Sequence, residues 1–200
     1  MKAVAYQKSL AIDHPDALRD ITIDDPRPGD HDLLVEIKAI SVNPVDTKMR
    51  MRAEPPPGEW LILGWDGAGV VVETGPKVTL FKPGDRVWYA GAINRPGTNA
   101  QLHVVDERIA GSMPQSLDFS QAAALPLTSI TAWEMLFDRL QVPTSSATTA
   151  DSLLIIGAAG GVGSIMIQLA RQLTGVQVIA SASRKQTQDW VRHLGAHQVV

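Results

Sequence analysis

The residues with the clearest chemical use are the glycines of Gly157-Ala158-Ala159-Gly160-Gly161-Val162-Gly163. Gly160 and Gly163 hold the second and third places of a dinucleotide fingerprint, where the lack of a side chain lets a pyrophosphate approach the backbone and a helix pack close to a strand. Ala158 stands in the first place, with Gly157 before it to loosen the turn. A helix opening there aims free N–H groups and a positive dipole end at a phosphate. A tight strand-to-helix connection without a ligand has the same composition, so the neighbours must decide. One strand further on come Ser183, Arg184 and Lys185. An acid at this place hydrogen bonds a ribose 2′-hydroxyl and marks NAD, whereas small hydroxyl residues with two cations suit a 2′-phosphate. Ala159 to Gly163 with Ser183 to Lys185 therefore read as an NADPH site; the competing reading makes Arg184 and Lys185 a solvated first turn of the next helix.

Such a site needs a βαβ frame. Leu153 to Ile156 is a continuous aliphatic run, as expected of a parallel strand buried on both faces, and apolar positions recur at three and four after the glycines. Val176 to Ala180 is a second strand at the distance a crossover requires. Gln186 to Leu194 reads as a helix ended by Gly195, and Gln198 to Val200 as the opening of a third strand. A doubly wound domain has two βαβαβ halves and this sequence carries barely one, so a truncated Rossmann domain is expected. An unfinished parallel sheet exposes an apolar edge, which predicts marginal stability or aggregation for the isolated polypeptide.

The preceding residues have a different texture. Met1 to Tyr6, Leu33 to Ala39, Gly67 to Glu73, Arg86 to Tyr89 and Gln101 to Val105 read as short antiparallel strands separated by Pro/Gly turns, which favours a small barrel or distorted sandwich. Ser120 is a plausible N-cap, and Gln121 to Leu127 and Thr131 to Leu140 have helical spacing broken at Pro126. Gln141 to Ala150, rich in Pro, Ser and Thr, reads as a turn or linker. The shift of pattern divides the chain into a β-rich domain of residues 1–118 and an α/β domain of residues 119–200.

Bulk properties narrow the classes. A hydrophobic fraction of 44% supports packed cores, and a net charge of −3 supplies no field for nucleic acid or anionic membrane. With no cysteine, disulfides, thiolate metal sites and cysteine nucleophiles are excluded. Met1 to Tyr6 is already strand-like, without a leader pattern, and no apolar run approaches the roughly 20 residues of a membrane span. A soluble, cytoplasmic protein is expected.

Five motifs in this order, Gly64-Trp65-Asp66-Gly67-Ala68-Gly69-Val70, Gly84-Asp85-Arg86-Val87, Ala123-Ala124-Leu125-Pro126-Leu127-Thr128, Ala159-Gly160-Gly161-Val162-Gly163 and a β-rich domain before them, resemble the medium-chain dehydrogenase/reductase superfamily. Within it, the chain is most similar to the zinc-independent quinone oxidoreductase branch, including members called zinc-type alcohol dehydrogenase-like. The resemblance covers essentially the whole chain. It implies a GroES-like N-terminal domain, a Rossmann domain, NADPH as hydride donor and a homodimer in the longer parent. It further implies that Thr128 contacts the nicotinamide.

The metal question follows from the same alignment of motifs. Zinc-dependent relatives have Cys where this chain has Asn43 and His-Glu where it has Trp65-Asp66. A catalytic zinc takes three N, S or O ligands, and only Asp66 remains, so no metal is expected. His193 and His197 have the spacing of a metal pair, but Gly195 between them ends the helix. Alcohol oxidation needs a stabilised alkoxide, which a zinc-free site supplies poorly, while hydride delivery to a quinone or an α,β-unsaturated carbonyl needs only a hydrogen bond to the oxygen and a proton. The expected catalytic residues are Asn43 and Lys48, with Asp46 and Trp65 in the substrate pocket. Asn43 lies in Asn43-Pro44-Val45-Asp46-Thr47-Lys48, similar to a family segment whose Asn and Tyr face nicotinamide and substrate; Lys48 stands in the Tyr place, as an ammonium able to polarise a carbonyl. For each residue an ordinary role competes: an Asn-Pro turn, a solvated lysine, a core tryptophan, and for Thr128 a hydroxyl bonded to its own helix. The expected function is NADPH-dependent reduction of a small quinone or enone; the alternatives are a catalytically silent NADP(H)-binding protein or an inactive fragment of the enzyme.

Overall fold

The computed structural model describes residues 1–145 and 150–200, which divide into two compact units, Met1–Leu127 and Thr128–Val200. Of the linker expected over Gln141 to Ala150, residues 146–149 lie outside the described residues.

The first unit is built of β1 (Lys2–Tyr6), β2 (Arg19–Thr22), β3 (Asp32–Ser41), α1 (Pro44–Arg52), β4 (Leu61–Ile62), β5 (Asp66–Thr74), β6 (Arg86–Ala90), β7 (Leu102–Asp106), β8 (Gly111–Ser112) and α2 (Phe119–Ala123). Two antiparallel sheets run β2-β1-β4 and β7-β3-β5-β6-β8, and a bridge between Ala3 and Ala100 ties them together. Alternation is the cause. Leu33 and Val35 of β3, Val87 and Tyr89 of β6, and Val105 of β7 all turn inward to one cluster with Val71. Burying each such side chain contributes about 1.5 to 3 kcal/mol. A second buried layer, Ala68, Met113, Ala122 and Ala123, fastens α2 to the sheet. The cap of α2 is Asp118, two residues before the Ser120 expected: its carboxylate accepts from Gln121 N–H at 2.8 Å, and Gln121 Oε1 accepts from Asp118 N–H at 3.1 Å. This reciprocal pair satisfies two otherwise unpaired donors, which a single serine hydroxyl does not.

Helix α1 is an addition to the strands expected in this region. Its apolar contacts are limited to half-buried Val45 and Met49, and the residues fully buried along it are Asp46 and Arg50. Its stop and start are polar. Asp46 accepts from Asn43 N–H at 2.7 Å, Arg50 donates to Leu10 O at 2.6 Å, and the Tyr6 hydroxyl donates to Ala53 O at 2.8 Å beyond the last turn.

Helix α3 (Pro126–Trp133) starts in the last residues of the first unit, and the second unit continues as a π-helical turn (Glu134–Arg139), β9 (Ser152–Ile155), α4 (Gly161–Leu173), β10 (Gln177–Ala180), α5 (Lys185–His193) and β11 (Gln198–Val199). Pro126 breaks the helical run as expected, by starting α3, where its missing N–H has no partner to lose. The widening to a π turn after Trp133 departs from the uniform helix expected to Leu140. The sheet is parallel in the order β11-β10-β9, with Val178 opposite Leu153 and Ala180 opposite Ile155. Gly163, Met166, Ile167 and Ala170 form the buried face of α4, at the expected three and four spacing. They share one core with Leu136, Ile155, Val178 and Val191. Gly195, at φ 108°, ends α5 in the left-handed conformation that glycine adopts without penalty.

Strand β9 departs from the two-sided burial expected of Leu153 to Ile156. Ile155 is buried, but Leu154 is 55% and Ile156 81% exposed, because β9 is an edge strand among the described residues and one face lacks cover.

Candidate functional site

The glycine turn between β9 and α4 leaves its backbone open to solvent. Gly157 takes the left-handed position at φ 65°, so Ala158 in the fingerprint's first place needs no positive φ. Ala158 N–H donates to Ser181 O at 3.2 Å, which locks the turn to the end of β10. Gly163 is required by proximity: a Cβ there would stand 2.5 Å from Ala158 O and 2.6 Å from its Cα. At Gly160 a Cβ would meet only Gly157 O, at 3.3 Å, and Gly157, Gly160 and Gly161 are exposed. Gly161, Val162 and Gly163 fill the first turn of α4, where no preceding carbonyl reaches their N–H groups. Thr128 is brought to this turn, its methyl 3.0 Å from where a Cβ on Gly161 would lie.

At the end of β10, Ser183, Arg184 and Lys185 are exposed. The two cations differ. Lys185 Nζ pairs with Asp189 at 3.1 Å, while Arg184 has no ion pair to a described residue. Arg184 borders a cavity of about 490 Å³ that Ala159, Thr187, Trp190 and His193 also line. The Trp190 indole N–H is fixed to Ser164 Oγ at 2.9 Å. Open backbone donors, a small-residue turn and a free guanidinium fit a phosphorylated dinucleotide.

The histidines expected not to form a metal pair have other partners. His197 Nδ1 accepts from Val178 N–H at 2.8 Å, and its other ring nitrogen lies against Arg171. Burial and then the Arg171 charge hold its pKa below the ordinary histidine value.

In the first unit, the expected catalytic and pocket residues separate into two groups. Asn43, Asp46 and Trp65 are 6%, 6% and 7% exposed, whereas Lys48 lies on the outer side of α1 with no hydrogen bond or ion pair to a described residue. Trp65 packs among Tyr6, Leu63, Val45, Met49 and Leu127. Asp46 serves the start of α1, and burial raises its pKa against the lowering effect of backbone N–H groups from Asn43, Gly64 and Asp46 itself.

Asp66 is the residue that sequence reasoning reduced to a leftover ligand position. It is completely buried. One carboxylate oxygen accepts from Asn43 Nδ2 at 2.7 Å and the other from Leu127 N–H at 2.8 Å. Its pKa is raised by burial, lowered by those two bonds, and raised again by the charge of Asp46. The segment before it is held from the other side: Thr98 Oγ1 donates to Asp66 O at 3.1 Å, and Gly64, at φ 105°, fits against Thr98 and Asn99 where a Cβ would come within 2.5 Å of both side chains. The available signal was an acid embedded in the otherwise apolar Trp65 to Val72 strand. Among the described residues, no three His, Cys, Asp or Glu side chains gather as a metal-binding group.

Comparison with known proteins identifies the scaffold. Residues 29–123 match the alcohol dehydrogenase GroES-like domain family. A crystal structure from Rhizobium etli CFN 42, provisionally described as a zinc-dependent alcohol dehydrogenase, shares 57% identity and superposes with a TM-score of 0.94 over 100% of this chain and 58% of that one. The NADPH complex of Escherichia coli quinone oxidoreductase shares 31% identity at a TM-score of 0.82, again over 100% of this chain and 58% of that one. A zinc-type alcohol dehydrogenase-like protein of Staphylococcus aureus (strain COL) is 42% identical over 100% of this chain and 60% of its own length. The chain thus spans about 60% of the length of the curated relatives it matches. With its GroES-like domain, parallel β11-β10-β9 sheet and glycine turn, the chain is similar to members of the medium-chain dehydrogenase/reductase superfamily, quinone oxidoreductases among them.

Proposed function

We propose that this chain is part of a cytoplasmic oxidoreductase that uses NADPH to reduce a small quinone or α,β-unsaturated carbonyl, without zinc. The observation that carries the zinc-free reading is the 2.7 Å bond from Asn43 Nδ2 to Asp66. An amide N–H donor occupies the place of a thiolate ligand, and it engages the acid that would otherwise serve the metal, leaving too few ligands for a catalytic zinc. A reductase of already electrophilic substrates fits this donor set better than an alcohol dehydrogenase, which must stabilise an alkoxide.

NADPH, when bound, supplies the hydride. The chain's own residues hold its ends. The turn from Ala159 to Gly163 offers backbone N–H groups to the pyrophosphate, Ser183, Arg184 and Lys185 take the 2′-phosphate, and Thr128 supports the nicotinamide. Of the two cations Arg184 is the stronger candidate, since Lys185 is paired with Asp189. Asn43 and Lys48 serve the reacting end, with Asp46 and Trp65 shaping the pocket. In this reading residues 1–118 are the catalytic domain, residues 119–200 open the Rossmann domain, and the complete protein is a homodimer.

Fluorescence titration with NADPH and NADH, on the chain and on Arg184→Ala, tests the cofactor assignment. Loss of one charge-assisted contact to a 2′-phosphate should weaken NADPH binding about tenfold and leave NADH unchanged. Equal affinity for both nucleotides before substitution would refute it. Exposed, unpartnered Lys48 in the Tyr place favours the silent NADP(H)-binding alternative, which predicts tight NADPH binding without oxidation by any of a panel of quinones and enones.

A further inference from the structure

Helix α5 opens on a residue that helix capping does not favour. The N-cap place is usually taken by Ser, Thr, Asp or Asn, whose side-chain oxygen accepts from an N–H of the first turn. Here it is Arg184, which carries donors alone and makes no side-chain bond to that turn. A break with a local rule is expected where the side chain has another task. The Arg184 side chain is exposed, has no ion pair to a described residue, and borders the cavity of about 490 Å³ beside the glycine turn.

Thr187 supplies the half of the cap that does not depend on the residue at the N-cap. Its Oγ1 accepts from Arg184 N–H at 3.3 Å and donates to Arg184 O at 2.8 Å. Gln188 adds to this, its N–H donating to Arg184 O at 2.9 Å and its Nε2 to Ala182 O at 3.1 Å. Both backbone polar groups of Arg184 are therefore held by α5 while its side chain stays free. A guanidinium ends a long, rotatable side chain, so a fixed base reduces the freedom that binding must remove. Thr187 lines the same cavity, but its one hydroxyl proton is committed to Arg184 O, which leaves it no proton to give a phosphate.

We propose that Thr187 is a positioning residue that holds Arg184 in place for the 2′-phosphate of NADPH, so that the preference for NADPH over NADH depends on a hydroxyl that donates to neither nucleotide. This rests on the assignment of Arg184 to the 2′-phosphate.

The test is a double-mutant cycle on the complete protein, with Thr187→Val, Arg184→Ala and the pair, each titrated by fluorescence with NADPH and with NADH. Thr187→Val keeps the volume and removes the hydroxyl; it should weaken NADPH binding about fivefold and leave NADH, which has no 2′-phosphate, within about twofold. In the Arg184→Ala background the same substitution should cost less than about twofold, because the group it positions is gone. Thr187→Ser, which keeps the hydroxyl, should bind NADPH within about twofold of the parent, and Thr187→Ala should repeat the valine result should valine not fold. Equal losses for NADPH and NADH would mean that Thr187 only stabilises α5, and equal losses on NADPH with and without Arg184 would mean that it meets the cofactor itself; either result overturns the proposal. An Arg184→Ala variant with unchanged NADPH affinity would remove Arg184 from the 2′-phosphate and the proposal with it. Loss of affinity in Arg184→Ala beside an unchanged Thr187→Val would strike the positioning role alone and leave the cofactor assignment standing.

Discussion

Acid should unlock the first unit through His103, in a way that can be worked out from its surroundings. The imidazole is 4% exposed, accepts from the Tyr89 hydroxyl at Nδ1 (3.0 Å), and donates from Nε2 to Pro96 O (2.9 Å). Both ring nitrogens are engaged in the neutral tautomer, and a proton on Nδ1 would force the Tyr89 hydroxyl to turn from donor to acceptor. Burial pushes the His103 pKa down to about 4 from an ordinary 6.5; the Pro96 bond and Asp32 oppose this, and the Arg95 charge reinforces it. Because the folded value lies below the unfolded one, the unfolded chain binds the proton first, and stability present above pH 6.5 is lost as the pH falls toward 4. The full loss is roughly 3 kcal/mol, of which about 2 kcal/mol is gone by pH 5. Urea denaturation followed by tryptophan fluorescence at pH 7.5 and 5.0, on the chain and on His103→Gln, isolates this term. Glutamine spans the same two partners without titrating. Asp46 and Asp66, whose pKa values are raised, act in the opposite direction, but they and the remaining carboxylates cancel in the difference between the two proteins. A pH dependence as steep in His103→Gln as in the parent would refute the reasoning.

Two further outcomes follow from packing. Gly163→Ala should cut NADPH affinity more than tenfold, since its Cβ would overlap the Ala158 backbone and shift the turn; unchanged affinity would contradict the fingerprint reading. Leu136→Ala, at a completely buried position in the second unit's core, should cost about 2 to 5 kcal/mol by denaturant titration, and a loss under about 1 kcal/mol would mean that the π turn repacks.

What the sequence disclosed depended on the kind of signal. The βαβ frame and glycine turn were legible because strand, turn and helix each leave a local mark, and the structure follows them nearly residue for residue. Helix α1 was not, because it lacks the apolar period by which helices are recognised; its marks are the Asn-Pro start and Asp46 three residues on. The exposure of Leu154 and Ile156 was hidden for another reason: a run of aliphatics states what a strand can bury, and the number of covered faces is a property of its neighbours. Asp66 was legible as an acid at a suggestive place. Its pairing with Asn43 joins residues 23 positions apart, which no local pattern encodes.

The way α1 is fastened bears on how this site changes over evolutionary time. Asn43 and Asp46 hold its beginning, Arg50 its middle and Tyr6 its end through polar bonds on the inner side, where Val45 and Met49 also pack against Trp65. Thr47, Lys48 and Met51, on the outside, contribute almost nothing to that attachment. Mutation can therefore explore those positions with stability changes within about 0.5 kcal/mol, so a lineage can exchange one chemical group for another at position 48 without first acquiring a compensating change elsewhere. The helix works as a fixed mount with a replaceable outer panel, and diversity among relatives should concentrate there while the buried anchor residues stay constant.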